Sequence, residues 1–338
     1  MTVHEEAEPR TRDDVRKQFL ALTRSCGWHR LEKRAKIALS GNDRVRWLNG
    51  MVTNNVRDLA TGHGVYAFVL SPQGRILGDL YIFNRGESLL VETDQSQAAT
   101  VLALFDRYII MDEVEVADVS TKFATVEIAG PKASPTLRAA GFELPADGTL
   151  RFVDAKWCGF SITMTRGDNS LVENFEISAS SEAVEAIKTA LQESGGSQVS
   201  EEASEHLRIA SGLPRYGQDI RERDLPQETE QVRALNFSKG CYVGQEIVER
   251  IRSRGQVHRS FSGFIIDGTL PEPGAKLQRD GKDVGEITSA TSLPFAKGEL
   301  NVALGYIRRE ALSGDDRLQV SGAKVTPRNL PFRQILTQ

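Results

Sequence analysis

Short apolar runs are followed by helical repeats twice along the chain, and this order gives the first prediction of the fold. In the first round, residues 35–39, 64–70 and 76–83 have the length and composition of β-strands. The Ser-Pro-Gln-Gly sequence of residues 71–74, between the last two runs, is typical of a turn. A helix is predicted next, because apolar residues recur every three or four positions at Ala98, Val101, Leu102, Phe105 and Tyr108.

The second round repeats the same order of elements. Strands are predicted over residues 123–128, 160–165 and 175–179, and helices over residues 181–193 and 201–211. Gly212 directly follows the second helix and Pro214 comes shortly after, which is the usual end of a helix. Strands followed by helices, twice over, predict an α+β fold rather than a doubly wound parallel sheet.

The pattern changes after Ser260, where helical repeats give way to short β-rich runs. These runs alternate with turns that contain Gly, Pro or Asp, which predicts a small β-barrel. The first 30 or so residues are polar and contain only one short helical stretch, near residues 13–22. We therefore expect an N-terminal extension over residues 1–32, α+β lobes over residues 33–257 and a β-barrel domain over residues 258–338.

Composition narrows the class of protein. The 338 residues are 40% hydrophobic and 26% charged, with a formal net charge of −4, as expected of a globular protein without a dominant nucleic-acid-binding surface. No apolar run approaches the roughly 18 residues of a membrane span. The acidic start lacks the basic flank and apolar stretch of a secretory signal, so a cytoplasmic protein is expected.

The three cysteines are too few and too far apart to predict a disulfide framework or a metal site, so no metal is expected. Cys26 falls in the expected extension, where we predict an exposed thiol. Cys158 lies between Trp157 and Phe160, which predicts burial.

The third cysteine lies in the segment Lys-Gly-Cys-Tyr-Val-Gly-Gln-Glu of residues 239–246. Val243, Ile247 and Ile251 are spaced by four, which predicts a helix with Cys241 near its N-terminus. There the helix dipole and Lys239 would favour a reactive thiolate. A buried cysteine that serves as a small hydrophobic residue explains the same position equally well.

A basic stretch follows this segment, over residues 250–259. If it is extended, Arg250, Arg252 and Arg254 share one face and form a candidate phosphate or polyglutamate site. A solvated edge strand protected by charge is the alternative.

Residues 239–246 resemble the K-G-C-Y-x-G-Q-E motif of the YgfZ-like folate-binding proteins, relatives of the glycine-cleavage T-protein. Further segments resemble that family between about residues 35 and 332. They are 47–56 (Trp-Leu-Asn-Gly-Met-Val-Thr-Asn-Asn-Val), 74–80 (Gly-Arg-Ile-Leu-Gly-Asp-Leu), 207–212 (Leu-Arg-Ile-Ala-Ser-Gly), 217–220 (Gly-Gln-Asp-Ile) and 285–290 (Gly-Glu-Ile-Thr-Ser-Ala).

The resemblance implies two α+β lobes around a central folate channel, followed by a barrel, with tetrahydrofolate as the cofactor. It places Asp79, Glu176 and Arg208 at the folate, and Cys241, Lys239 and Asp79 at the reactive centre. It also implies support of iron–sulfur cluster assembly or repair, with client or assembly proteins as partners.

Two other functions compete with this one. The first is an aminomethyltransferase of the glycine cleavage system. The T-protein branch usually has two aspartates where this chain has Gly78-Asp79, and a glutamate where it has Ala210, which weakens that hypothesis. The second is a tRNA-modification factor that uses residues 250–259, against which the net charge and the absence of aromatic stacking motifs both count.

Overall fold

The computed structural model describes residues 11–255, 257–295, 298–312 and 317–333. The helices in these ranges are α1 (Arg12–Arg24), α2 (Arg44–Met51), α3 (Gln95–Tyr108), α4 (Ala133–Ala139), α5 (Val184–Glu193), α6 (Glu201–Ser211) and α7 (Gln245–Arg254). The strands are β1 (Gly27–Arg30), β2 (Arg34–Ser40), β3 (His63–Leu70), β4 (Ile76–Asn84), β5 (Leu89–Asp94), β6 (Glu115–Asp118), β7 (Ala124–Ala129), β8 (Phe152–Trp157), β9 (Phe160–Arg166), β10 (Asn174–Ala179), β11 (Ser197–Gln198), β12 (Arg259–Asp267), β13 (Lys276–Arg279), β14 (Lys282–Phe295), β15 (Gly298–Arg308), β16 (Leu318–Val320) and β17 (Ala323–Arg328).

The first lobe is an antiparallel sheet with strand order β3-β4-β5-β2-β6. Its β3–β4 connection is the predicted turn, in which the Gly74 N–H donates to the Ser71 carbonyl and Gly74 has a φ of +73°. Helices α2 and α3 cover one face of the sheet, and Trp47, Leu48 and Phe105 enter the apolar core between them. The other face turns toward the rest of the molecule.

The second lobe is a sheet with strand order β11-β1-β7-β10-β9-β8, in which only β1 and β11 run parallel. Helices α4 and α5 supply apolar residues to its core. The segment expected to be an extension is folded in its described part, since α1 contacts α6 and β1 lies inside this sheet. Phe19, Leu22 and Trp28 are buried there. We propose to assign residues 11–32 to the second lobe and to keep the proposed boundary near residues 257–258.

The C-terminal part is a closed barrel with strand order β12-β15-β14-β13-β16-β17, in which β17 pairs back to β12. Apolar side chains such as Phe264, Leu277 and Ile307 fill its interior. Its outer side packs against α6, since Leu207 and Phe261 belong to one buried apolar cluster. The predicted α+β class and the predicted barrel are both confirmed.

Charged side chains lie between the two lobes, because alternate residues of a strand point to opposite faces of its sheet. On β2, Arg34 and Lys36 point toward the second lobe. Arg34 Nη2 donates to Glu176 of β10 at 2.5 Å, and Lys36 Nζ donates to Ser178 of β10 at 3.0 Å and to Glu92 of β5. We call these five residues the interlobe seam. Lys36 is only 1% exposed, so the seam is a buried ionic contact.

Replacing Lys36 by Met should lower the free energy of unfolding by about 3 kcal/mol, because the buried Glu92 carboxylate loses its closer partner and keeps only Arg34, whose Nε lies 3.9 Å away. Urea unfolding followed by tryptophan fluorescence measures the change. Lys33→Met is the matched control, since Lys33 pairs with Glu201 at 2.8 Å on the surface and its loss should change little. Equal unfolding midpoints for the two variants would contradict a stabilising role for the seam.

Candidate functional site

Asp79 is held in a fixed orientation on β4. Its Oδ2 accepts a hydrogen bond from the Tyr66 hydroxyl at 2.7 Å, and its Oδ1 accepts one from Gln97 Nε2 at 2.8 Å. Burial raises the pKa of Asp79, although both hydrogen bonds act in the opposite direction. A carboxyl with a raised pKa that is fixed by two donors is a candidate for proton transfer or for binding an N–H group.

A side chain at position 78 would point toward helix α3 and not toward Tyr66. A Cβ added at Gly78 would lie 3.1 Å from Gln97 Oε1 and 3.5 Å from Val101 Cγ2, both on α3. A longer side chain at Gly78 would therefore crowd α3. Of the two neighbouring positions 78 and 79, only Asp79 presents a carboxylate to Tyr66.

Aromatic rings connect Asp79 to the interlobe seam. The Tyr66 and Tyr81 rings lie 4.9 Å apart, and the Arg34 guanidinium lies 5.8 Å from the Tyr81 ring centre. The Arg233 guanidinium covers Tyr66 at 4.2 Å. Burial and the nearby Asp79 raise the pKa of Tyr66 well above its ordinary value, so this hydroxyl stays protonated and donates to Asp79.

Glu176 is the second predicted acid, and the structure places it in the same seam. Burial raises its pKa to about 7, against the opposing effect of the Arg34 guanidinium. A cavity of about 30 Å³ lies beside it, with Tyr81, Asp168 and Asn174 among its lining residues. Asp79 and Glu176 thus come from different lobes to one polar region.

Arg208 lies in a different place. Its guanidinium donates to Asp219 at 2.7 Å, to Glu205 at 2.8 Å and to Ser289 of β14 at 2.9 Å. It therefore joins α6 to the barrel. It lines neither the cavity beside Glu176 nor a second, larger cleft between the second lobe and the barrel.

That cleft, of about 1000 Å³, separates the second lobe from the barrel. Asp168, Ser211 and Arg233 line it on the side of the lobes, and Phe261 and Arg328 on the side of the barrel. Asp168 also lines the small cavity, so the two spaces meet at this residue. A volume of this size is typical of sites for small organic ligands.

Comparison with known protein families identifies the family to which this chain belongs. The GCVT N-terminal domain family matches residues 4–239, and the CAF17 C-terminal beta-barrel domain matches residues 254–332. The chain belongs to the GCVT domain family. The predicted kinship with the YgfZ-like folate-binding proteins is confirmed by this pair of domains.

Individual GCVT-domain relatives agree. The chain is 28% identical over 82% of its length to a putative chloroplastic transferase of Arabidopsis thaliana and spans 64% of that protein. It is 26% identical over 94% of its length to the aminomethyltransferase of Rubrobacter xylanophilus and spans 86% of it. The crystal structure of the glycine cleavage system aminomethyltransferase T from Bartonella henselae shares the fold, with a TM-score of 0.82 at 21% identity, over 95% of this chain and 90% of that one.

Lys239, in the motif segment of this GCVT-domain protein, is buried. Its Nζ donates to the backbone carbonyls of Asn49, Val52 and Asn54, at 2.5, 2.5 and 2.8 Å. Burial lowers the pKa of Lys239 to about 7. With all three N–H bonds of its protonated form donated, Lys239 ties the motif loop to the end of α2 and to the segment that follows it.

Cys241 is exposed, but it does not begin a helix. Helix α7 starts four residues later, at Gln245, after Gly244 adopts a φ of +81°. The predicted helix-terminal position of Cys241 is therefore wrong. The reason is that Gly244, in the left-handed region, turns the chain before the apolar repeat becomes helical.

The other two thiols reverse the predicted exposures. Cys26 is fully buried between α1 and β1, and burial raises its pKa to about 11. Cys158 is exposed at the β8–β9 turn, because the turn directs it away from the core that takes Trp157. Cys241 and Cys158 are thus the accessible thiols of the described chain.

The basic stretch is also not extended, since residues 250–254 belong to α7. Arg250 pairs with Glu246 at 2.8 Å and Arg252 with Glu249 at 3.5 Å. Arg259 pairs with Asp224 at 2.7 Å. Among the side chains that the structure describes in this stretch, these contacts leave no common arginine face for a phosphate or polyglutamate.

Metal-binding clusters and membrane-spanning helices do not occur among the described residues. These residues contain no group of three or more His, Cys, Asp or Glu side chains arranged to hold a metal ion. None of their helices is long and apolar enough to cross a membrane.

Proposed function

We propose that this protein binds tetrahydrofolate, with the pterin ring in the interlobe seam. The observation that carries the proposal is the pair of half-buried acids, Asp79 and Glu176, that approach one polar region from two lobes. A pterin edge offers neighbouring N–H donors, and a carboxylate accepts two such donors at once. The donor and acceptor chemistry of the site therefore fits the ligand.

The rest of the ligand extends into the cleft in this proposal. The benzoyl ring suits the apolar side of the cleft, and Arg328 offers a cation for the terminal carboxylates. Tetrahydrofolate carries one-carbon units on its nitrogen atoms. The residues of this chain bind and orient the ligand, and Asp79 holds or accepts a proton at its carboxyl.

The finer part of the proposal is support of iron–sulfur proteins by the Cys241 thiol. This thiol is exposed on a loop that Lys239 fixes to the first lobe, so a partner protein can reach it. The cytoplasmic location and the iron–sulfur client or assembly partners belong to the same proposal. The relative from Arabidopsis is described as chloroplastic.

An aminomethyltransferase is the second candidate. It is favoured by relatives of that name, such as the Rubrobacter protein, of which the chain spans 86%. Asp79 is present and accepts a hydrogen bond from Tyr66, so one acid of the usual aspartate pair remains although position 78 is glycine. Release of ammonia from an aminomethylated carrier protein would favour this function over the first.

Asp79→Asn and Glu176→Gln should each weaken tetrahydrofolate binding by roughly ten- to hundredfold, the effect of losing one charge-assisted hydrogen bond. Isothermal titration calorimetry of the wild type and both variants measures this. Asp154→Asn is the matched control, since Asp154 pairs with Arg85 at 2.6 Å on the surface and contacts neither Tyr66 nor the seam. Equal affinities for all four proteins would contradict the proposed site.

The pH profile of the same titrations separates the role of Glu176 from a loss of folding. Only the ionised carboxylate accepts two N–H donors, so wild-type affinity should rise as pH increases through about 7. Glu176→Gln should lose that rise. Profiles of wild type and variant that overlay would remove Glu176 from the site.

Cys241→Ser should abolish support of iron–sulfur enzymes and leave folate affinity unchanged, because the thiol lies on the motif loop and not in the seam. Complementation of a strain that lacks the gene, with iron–sulfur enzyme activity as the readout, tests this. Cys158→Ser, at the other exposed thiol, is the control and should complement fully. Full complementation by Cys241→Ser would exclude the thiol from the function.

A further inference from the structure

An ion pair lies where the small cavity meets the cleft. Asp168 lines both spaces, and Arg233 lines the cleft while its guanidinium pairs with Asp168 and covers Tyr66. Tyr66 in turn donates to Asp79. The pair therefore separates the cleft from the residues around Asp79.

The two spaces differ greatly in size. The cavity of about 30 Å³ has room for roughly two water molecules, which is too small for a pterin ring. The cleft of about 1000 Å³ is large enough for an entire drug-sized ligand. A ligand head group that reaches Glu176 must therefore displace a side chain at the boundary.

Arg233 is the side chain with space to move into. Its side chain is 31% exposed and borders the open cleft. Arg34, on the other side of the cavity, is 20% exposed and is held by both Glu176 and Glu92. Displacing Arg34 would break two ion pairs of the seam, whereas displacing Arg233 breaks one.

We propose that the Arg233–Asp168 pair is a gate through which the ligand passes from the cleft into the seam. This inference rests on the proposed function. When the gate opens, Arg233 leaves Asp168 and turns into the cleft. The pterin then takes over the contacts that Arg233 makes with Asp168 and Tyr66, because its ring stacks on Tyr66 and its N–H groups donate to Asp168. A ligand without a flat, donor-bearing head group cannot make this exchange.

Stopped-flow fluorescence with tetrahydrofolate tests the gate. Arg233→Ala and Asp168→Asn should each increase the association rate constant about tenfold, since a closed gate reduces the binding-competent fraction of the free protein. Because both variants remove the same contact, the double variant should bind no faster than either single one. Arg85→Ala is the control, since Arg85 also covers an aromatic ring, that of Phe152 at 5.3 Å, and pairs with Asp154.

A second measurement needs no folate. Hydroxyl-radical footprinting with mass spectrometry should show faster oxidation of Tyr66 and Tyr81 in Arg233→Ala than in the wild type or in Arg85→Ala. Unchanged oxidation rates of Tyr66 and Tyr81 would overturn the gate. This result does not depend on folate binding, whereas a wild-type protein that bound no folate would overturn the proposed function. Slower and weaker folate binding by Arg233→Ala would also overturn the gate, because Arg233 would then hold the ligand.

Discussion

Pairing of charges between two facing β-sheets is the interaction on which the rest of this structure depends. A charge removed from water must find a partner, because an unpaired one costs several kcal/mol. Lys36 and Arg34 of one sheet meet this requirement with Glu92 of their own sheet and Glu176 of the other. These ionic contacts help to join the lobes, and a small cavity that Arg34, Glu92 and Glu176 line lies beside them.

This polar contact also determines the chemistry of the site. Removal from water disfavours the ionised form of a carboxyl group. It raises the pKa of Glu176 to about 7 and also raises the pKa of Asp79. The tyrosines and arginines around these acids hold them in place through hydrogen bonds and ring contacts. Acids that are oriented but not fully neutralised are suited to recognise a ligand rich in N–H donors.

Local sequence patterns predicted most elements of the fold. Helix α6 has the expected bounds, with Ser200 accepting a hydrogen bond at its start and Gly212 left-handed at its end. Strands β1 and β17 were not predicted, because β1 has only four residues and β17 contains Pro327. The strand order could not be predicted, since it depends on pairing between residues far apart in the chain.

The candidate site was predictable only in part. The family resemblance supplied Asp79 and Glu176, while Arg233 and Asp168 carried no signal because their meeting depends on tertiary structure. Arg34 and Lys36 alternate along an otherwise apolar strand, which places them on one face, but this pattern is typical of a solvent-exposed face and so did not reveal the seam. Arg208 shows the opposite case, in which a residue implied by resemblance joins α6 to the barrel instead.

Competition between ligand fragments tests the central claim most directly. If the seam recognises the head group, tetrahydropterin should displace tetrahydrofolate from the wild-type protein in an equilibrium titration, and p-aminobenzoylglutamate should compete far less well. One tetrahydrofolate should bind per chain. Displacement by p-aminobenzoylglutamate alone would contradict this claim, because recognition would then reside in the cleft and not between Asp79 and Glu176.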